Sequence, residues 1–175
     1  GSYDHRMLHE AVIYIPLIMW CPGVLPKGQV IEGYVQQADI APTVLALMGA
    51  DEKDLPSMDG CNLLPVIEGK QPTRTEIFVE NHDYRAFIQG PWKYMRGYFR
   101  GTEELYNIED DPMEVVNLAT RYPERLTQMR ERLTEWVREN LADKPDPMWE
   151  QMAHHAAQWG AKLGREFPDL LPRQQ

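Results

Sequence analysis

Residues Glu104 to Leu118 read Glu-Leu-Tyr-Asn-Ile-Glu-Asp-Asp-Pro-Met-Glu-Val-Val-Asn-Leu. Leu105, Tyr106 and Ile108 have the make-up of a short apolar strand. Asp110-Asp111-Pro112 then ends it, because proline brings no N–H to a ladder and aspartate favours turns capped by its own side chain. Asn117-Leu118 lead into the chain's strongest helical pattern, so the stretch is a joint between a sheet and the helix that covers it.

Upstream of the joint the period is that of strands, over Glu76 to Glu80, Tyr84 to Gln89 and Trp92 to Gly97. Asn81-His82-Asp83 and Gly90-Pro91 are short turn sequences, which predicts an antiparallel meander with the joint strand as its fourth member. Such a sheet has one face to bury. Downstream, Leu126, Met129, Leu133, Trp136, Val137 and Leu141 recur at three- and four-residue steps from Pro123, while Arg125, Arg130, Arg132 and Glu135 are expected to face water. The Pro145 and Pro147 pair breaks this helix, and Met148 to Gly164 carries a second amphipathic pattern.

The first seventy residues read differently. Val12 to Trp20 is nearly continuous in apolar residues and stops at Pro22-Gly23, which predicts a strand buried on both faces of an α/β sheet. Gln36 to Ala50 has helical spacing, with Asp39 as the expected N-cap, Pro42 in the first turn and Gly49 as the stop. The fold class is therefore α/β, passing to α+β in the C-terminal part. The expected division is residues 1–71, residues 72–143 as sheet plus helix, and residues 144–175 as a helical extension.

Composition narrows the function. A formal net charge of −9, with Lys and Arg scattered along the chain, argues against a nucleic-acid partner. No apolar run approaches the ~20 residues of a membrane span. Cys21 and Cys61 lie far apart without CxxC spacing, which fits unpaired buried thiols and a reducing, cytoplasmic setting. Asp4, His5, His9 and Glu10 form a polar run of potential ligands, but no third ligand stands at a known spacing.

The joint resembles the closing motif of sulfatases, members of the alkaline phosphatase superfamily. Other segments follow that family's order: Pro16-Leu17-Ile18 before Pro22-Gly23, Ala38-Asp39-Ile40-Ala41-Pro42-Thr43 before Gly49, and Asp59-Gly60 before Leu63-Leu64-Pro65. The resemblance implies the end of a sulfatase α/β domain followed by the family's four-stranded antiparallel domain. It implies a hydrolase of sulfate esters whose nucleophile is a formylglycine made from a Cys/Ser-x-Pro-x-Arg motif, with calcium or magnesium in the full enzyme. Neither cysteine, nor Ser2 or Ser57, has proline two residues on, so no nucleophile is expected here, and no cofactor is expected for this chain alone. Asp4 and His5 are the candidate metal ligands carried over from the family. His82 and Arg85 are the substrate-side candidates. The partner implied is the missing N-terminal sulfatase region or, if the chain is a noncatalytic relative, a further copy in an oligomerisation or binding module.

Overall fold

The computed structural model describes residues 7–142 and 144–163 of the chain. Two compact units emerge: Pro16–Ile77, and Gly1–Ile15 together with Phe78–Gln175. The helices are α1 (Glu10–Ile13), α2 (Ile40–Leu47), α3 (Leu64–Ile67), α4 (Pro123–Leu141) and α5 (Pro147–Leu163). The strands β1 (Glu76–Glu80), β2 (Tyr84–Gln89), β3 (Trp92–Gly97) and β4 (Thr102–Asn107) form one sheet in the order β1-β2-β3-β4. Pairing of β2 with β3 and of β3 with β4 is antiparallel, with Ala86 opposite Met95 and Lys93 opposite Tyr106. The predicted meander is present.

The sheet buries two faces, where the sequence pattern predicts one. Phe87, Tyr94 and Leu105 meet Met129 and Leu133 of α4, as the helical stripe predicts. On the other face Tyr84, Ala86, Met95 and Tyr106 pack with Leu8, flanked by Met7 and Ile13. Tyr84, Lys93, Glu104 and Tyr106 look like solvent-side positions in a linear pattern, and that polarity hid the second face. The cover for it comes from the N-terminal segment, some eighty residues away in sequence, and local periodicity carries no signal of such a contact.

The polar side of α4 is also less wet than predicted. Arg130 reaches the sheet with Nε 2.6 Å and Nη2 2.7 Å from the two carboxylate oxygens of Glu103. Arg132 lies over the Phe78 ring, 5.0 Å from its centroid. Both guanidinium stems cross apolar surface before their charged ends find a partner. A left-handed Ala142, with φ of 43°, ends the helix.

Val12 to Trp20 does not form a strand. Glu10–Ile13 is one helical turn, and the residues that follow have no regular structure. Ile18 and Trp20 are 89% and 85% exposed. A strand is stabilised by its neighbours, and no neighbour for this run exists among the described residues. The Pro16–Ile77 unit instead collects around α2 and α3 and the isolated bridge of Tyr34 with Arg74. Ile40, Val44, Leu47 and Met48 recur at helical steps, which predicts that they line the core side of α2; Leu47 is half-buried but Ile40, Val44 and Met48 are exposed, whereas Pro42 and Thr43 are buried.

Trp136 is half-buried and stacks on Phe78 at 4.8 Å with an interplanar angle of 2°, and Phe78 stacks on Phe87 at 4.8 Å. Trp136→Ala should lower stability by about 3 kcal/mol, the lower part of the range for a truncated aromatic. Glu131→Ala, on the exposed side of α4, should change it by less than about 0.5 kcal/mol. Thermal melts compare the two; equal midpoints would mean that the aromatic stack does not anchor the helix.

Candidate functional site

In the Gly1–Ile15 and Phe78–Gln175 unit, the charged groups converge on Lys93. Its side chain is fully buried in β3, and its Nζ stands 2.8 Å from Glu10 Oε1 and 2.8 Å from Glu114 Oε1. The Glu10 backbone N–H donates to Glu114 Oε2 at 2.6 Å, and His9 Nδ1 lies 3.2 Å from the same oxygen. Glu114 adopts a left-handed φ of 52°, a conformation that costs energy for a residue with a Cβ. The turn that imposes it comes from the acidic corner. Asn107 Oδ1 accepts from the N–H groups of Glu109 and Asp110, and Asp111 Oδ2 accepts from Val116 N–H. Asn117 then takes the free edge of β4: its Oδ1 accepts from Leu105 N–H, its Nδ2 donates to the Glu103 carbonyl, and Leu118 N–H donates to the Leu105 carbonyl. Asn107, Asp111, Glu114 and Asn117 of the closing motif each hold a backbone group, and Glu114 holds the Lys93 ammonium as well.

The Pro16–Ile77 unit has a second charged centre on Asp39. The expected N-cap hydrogen bond is absent. The carboxylate instead accepts a bidentate pair from Arg74, 2.8 Å at each oxygen, and N–H bonds from Gln36 at 2.7 Å and Cys61 at 2.9 Å. Gly60 makes the approach possible, because a Cβ there would lie 2.0 Å from the Ala38 carbonyl oxygen. Thr43 completes the latch, donating to the Asp39 carbonyl and accepting from Leu63 N–H. Burial pushes the Asp39 carboxyl up, but the Arg74 guanidinium and the two backbone N–H bonds outweigh it and hold the group below its usual 3.8. Cys61 forms no disulfide and, contrary to the expected buried thiol, is exposed; its sulfur accepts from Arg74 at 2.9 Å.

Of the substrate-side candidates, Arg85 is buried, its side chain 4% exposed. It donates to both oxygens of Asp146 at 2.7 and 2.8 Å and from Nε to Glu80, which fastens the start of α5 to β2. His82 lies in the turn after β1, with Nε2 3.3 Å from Asp83 Oδ1. The structure does not bring Arg85 and His82 into a common ion pair, and each faces its own carboxylate. Asp4 and His5 lie outside the described residues. Among the described residues no three His, Cys, Asp or Glu side chains are placed to hold one metal ion.

Sequence reasoning missed Lys93, Glu10 and Arg74 as the centres of charge. Glu114 and Asn117 were visible only as members of a spaced motif, and nothing in the linear sequence marks Arg74, which lies in a loop between two threonines.

Comparison with known proteins fixes the family. A family model described as N-sulphoglucosamine sulphohydrolase, C-terminal, matches residues 1–140. The chain belongs to this sulfatase family. It is 28% identical over 200 residues to arylsulfatase K of dog, covering 97% of this chain and 35% of the relative. It is 28% identical over 171 residues to human N-acetylglucosamine-6-sulfatase, covering 74% of this chain and 31% of that enzyme. The sulfatase C-terminal region thus spans about a third of the length of these curated relatives. Among solved structures, one described as in complex with its substrate D-glucosamine-2-N,6-O-disulfate aligns with a TM-score of 0.58 at 21% identity, over 71% of this chain and 28% of the other. That likeness establishes the fold.

Because the folded Asp39 titrates below its usual value, its contribution to stability is present above about pH 4 and is lost as pH falls through the folded value. Asp39→Asn should be less stable at neutral pH and should lose less on acidification. Melting midpoints taken from about pH 6 down to about pH 3 test this. Parallel curves for the two proteins would show that the Arg74 pair does not carry the dependence.

Proposed function

We propose that this chain is the C-terminal part of a sulfatase-family hydrolase acting on sulfate esters, and that its role is to complete and support a catalytic core whose nucleophile and divalent ion are held by other sulfatase sequence. The observation that carries the reading is the apolar surface of the Pro16–Ile77 unit. Ile18, Trp20, Val24 and Val30 are each more than 60% exposed, and Leu17, Ile31, Leu63 and Ile67 line an adjoining pocket of about 340 Å³. Apolar surface on this scale marks an interface. The relatives are roughly three times as long as the matched region, and their additional length is the natural cover.

The chemistry of the described residues supports the same role. Sulfate-ester hydrolysis of the family's kind needs a nucleophilic oxygen poised on a metal ion and donors around the sulfuryl oxygens. No Cys/Ser-x-Pro-x-Arg occurs in these 175 residues. Arg74, Arg85 and Lys93 are among the buried or half-buried cations, and each already faces a carboxylate. His82 and Arg85 would then shape the rim of a cleft completed by the rest of a sulfatase; in Arg85 that role is indirect, through the position of β2 and α5.

Assayed alone, the purified chain should hydrolyse aryl sulfates no faster than buffer, and sedimentation should show concentration-dependent self-association through the uncovered apolar surface. Turnover proportional to protein and abolished by a chelator would contradict the proposed division of labour. A clean monomer at high concentration that binds no hydrophobic dye would remove the argument for a missing cover.

A further inference from the structure

Arg121 and Arg125 differ from the paired arginines of this chain. Arg74, Arg85, Arg130 and Arg132 each face a carboxylate. Among the described residues Arg96, Arg121 and Arg125 have aromatic partners instead: Arg96 sits 4.9 Å from the centroid of Tyr98, Arg121 5.5 Å from that of Tyr122 and Arg125 5.7 Å from that of Trp92, and of the three Arg121 and Arg125 line one groove. The chain carries 27 acidic residues against 18 Lys and Arg, so carboxylates are abundant and leaving two neighbouring guanidinium groups without one is notable. Trp92 and Tyr122 meet edge to face at 5.2 Å and 66°. They form, with Arg121, Glu124, Arg125 and Gln128, the lining of an open groove of about 540 Å³ between the end of the sheet and the start of α4. All of these residues belong to one compact unit.

A guanidinium that stacks on a ring uses its face and leaves the edge, with its fork of N–H donors, open to a planar or tetrahedral oxyanion. Arg121, in the turn before α4, and Arg125, in its first turn, line the same groove, so two such forks can share one anion there. The remaining lining shows what carries the anion. Tyr122 is 39% exposed and offers a flat apolar wall, while Glu124 accepts and Gln128 both donates and accepts. Glu124 would repel a small free dianion and would accept hydroxyl protons from a larger ligand. The geometry points to this groove as a noncatalytic binding site for a sugar unit bearing one sulfate or carboxylate group, the anion on Arg121 and Arg125 and the ring hydroxyls on Glu124 and Gln128. The site stands whether or not the chain supports sulfate-ester hydrolysis, since none of its residues belongs to the centres described above.

The probe is glucose 6-sulfate, followed by ¹H–¹⁵N spectra of the tryptophan indoles in the full chain, with the Trp92 signal assigned through Trp92→Phe. The Trp92 indole should shift and saturate at ligand concentrations on the order of millimolar, as a small open site allows. Glucose and sodium sulfate should each bind at least roughly tenfold more weakly, one for want of a charge-assisted bond and the other for want of the ring. Arg121→Gln/Arg125→Gln should abolish the shift with the other indole signals unmoved, which keeps loss of binding distinct from loss of fold. No saturable shift, an equal response to glucose, an equal response to sulfate, or a response that survives in the double variant would each overturn the site.

Discussion

An ammonium group sealed from water must be answered by carboxylates, and Lys93 is answered by two. Neither comes from a neighbouring turn: Glu10 and Glu114 are 83 and 21 residues away in sequence. Burying a charge without a partner costs several kcal/mol, so β3 can close only if the N-terminal segment and the closing motif arrive together. That requirement accounts for the left-handed backbone at Glu114, for the helical turn that aims Glu10, and for the second buried face of the sheet beside Leu8 and Tyr106. Asp39 plays the corresponding part in the Pro16–Ile77 unit, where its carboxylate gathers Gln36, Cys61 and Arg74 around the start of α2.

Residues that attract a catalytic reading are therefore occupied in structure. Asp110 and Asp111 form the acidic turn expected of them: Asp111 closes it by accepting from Val116 N–H, while Asp110 accepts from Asn107 Nδ2 at 2.6 Å. Arg85, an apparent substrate cation, is spent on Asp146 and Glu80. The same logic explains why the closing motif is a spaced pattern instead of a block: Asn107, Asp111, Glu114 and Asn117 each hold a different backbone segment, while Met113, Val115 and Val116 between them stay exposed.

Much of this fold can be read from local pattern. The period of α4 and the turn residues between β1, β2 and β3 depend on neighbours in sequence, and those elements fall where their periodicity places them. What could not be read depends on distant partners. Lys93 looks like an outward strand residue until Glu10 and Glu114 are beside it, and Arg132 looks solvated until Phe78 lies beneath it. Val12 to Trp20 shows the converse: its composition is that of a buried strand, yet composition cannot supply the neighbouring strands that would pair with it. The exposed apolar residues of α2 have the same explanation, a sequence suited to a cover that these residues do not themselves provide.

The claim on which the rest turns is that Lys93 and Glu114 act as one unit holding the closing motif and the N-terminal segment to the sheet. A double-mutant cycle with Lys93→Met, Glu114→Gln and the two combined measures it directly by chemical denaturation. Each single substitution should cost about 3 to 5 kcal/mol, because each leaves a buried charge without its partner. The combined variant should be more stable than the sum of the two losses by at least about 2 kcal/mol. Losses that add to within about 0.5 kcal/mol would contradict the coupling, and with it the view that this charged centre organises the fold.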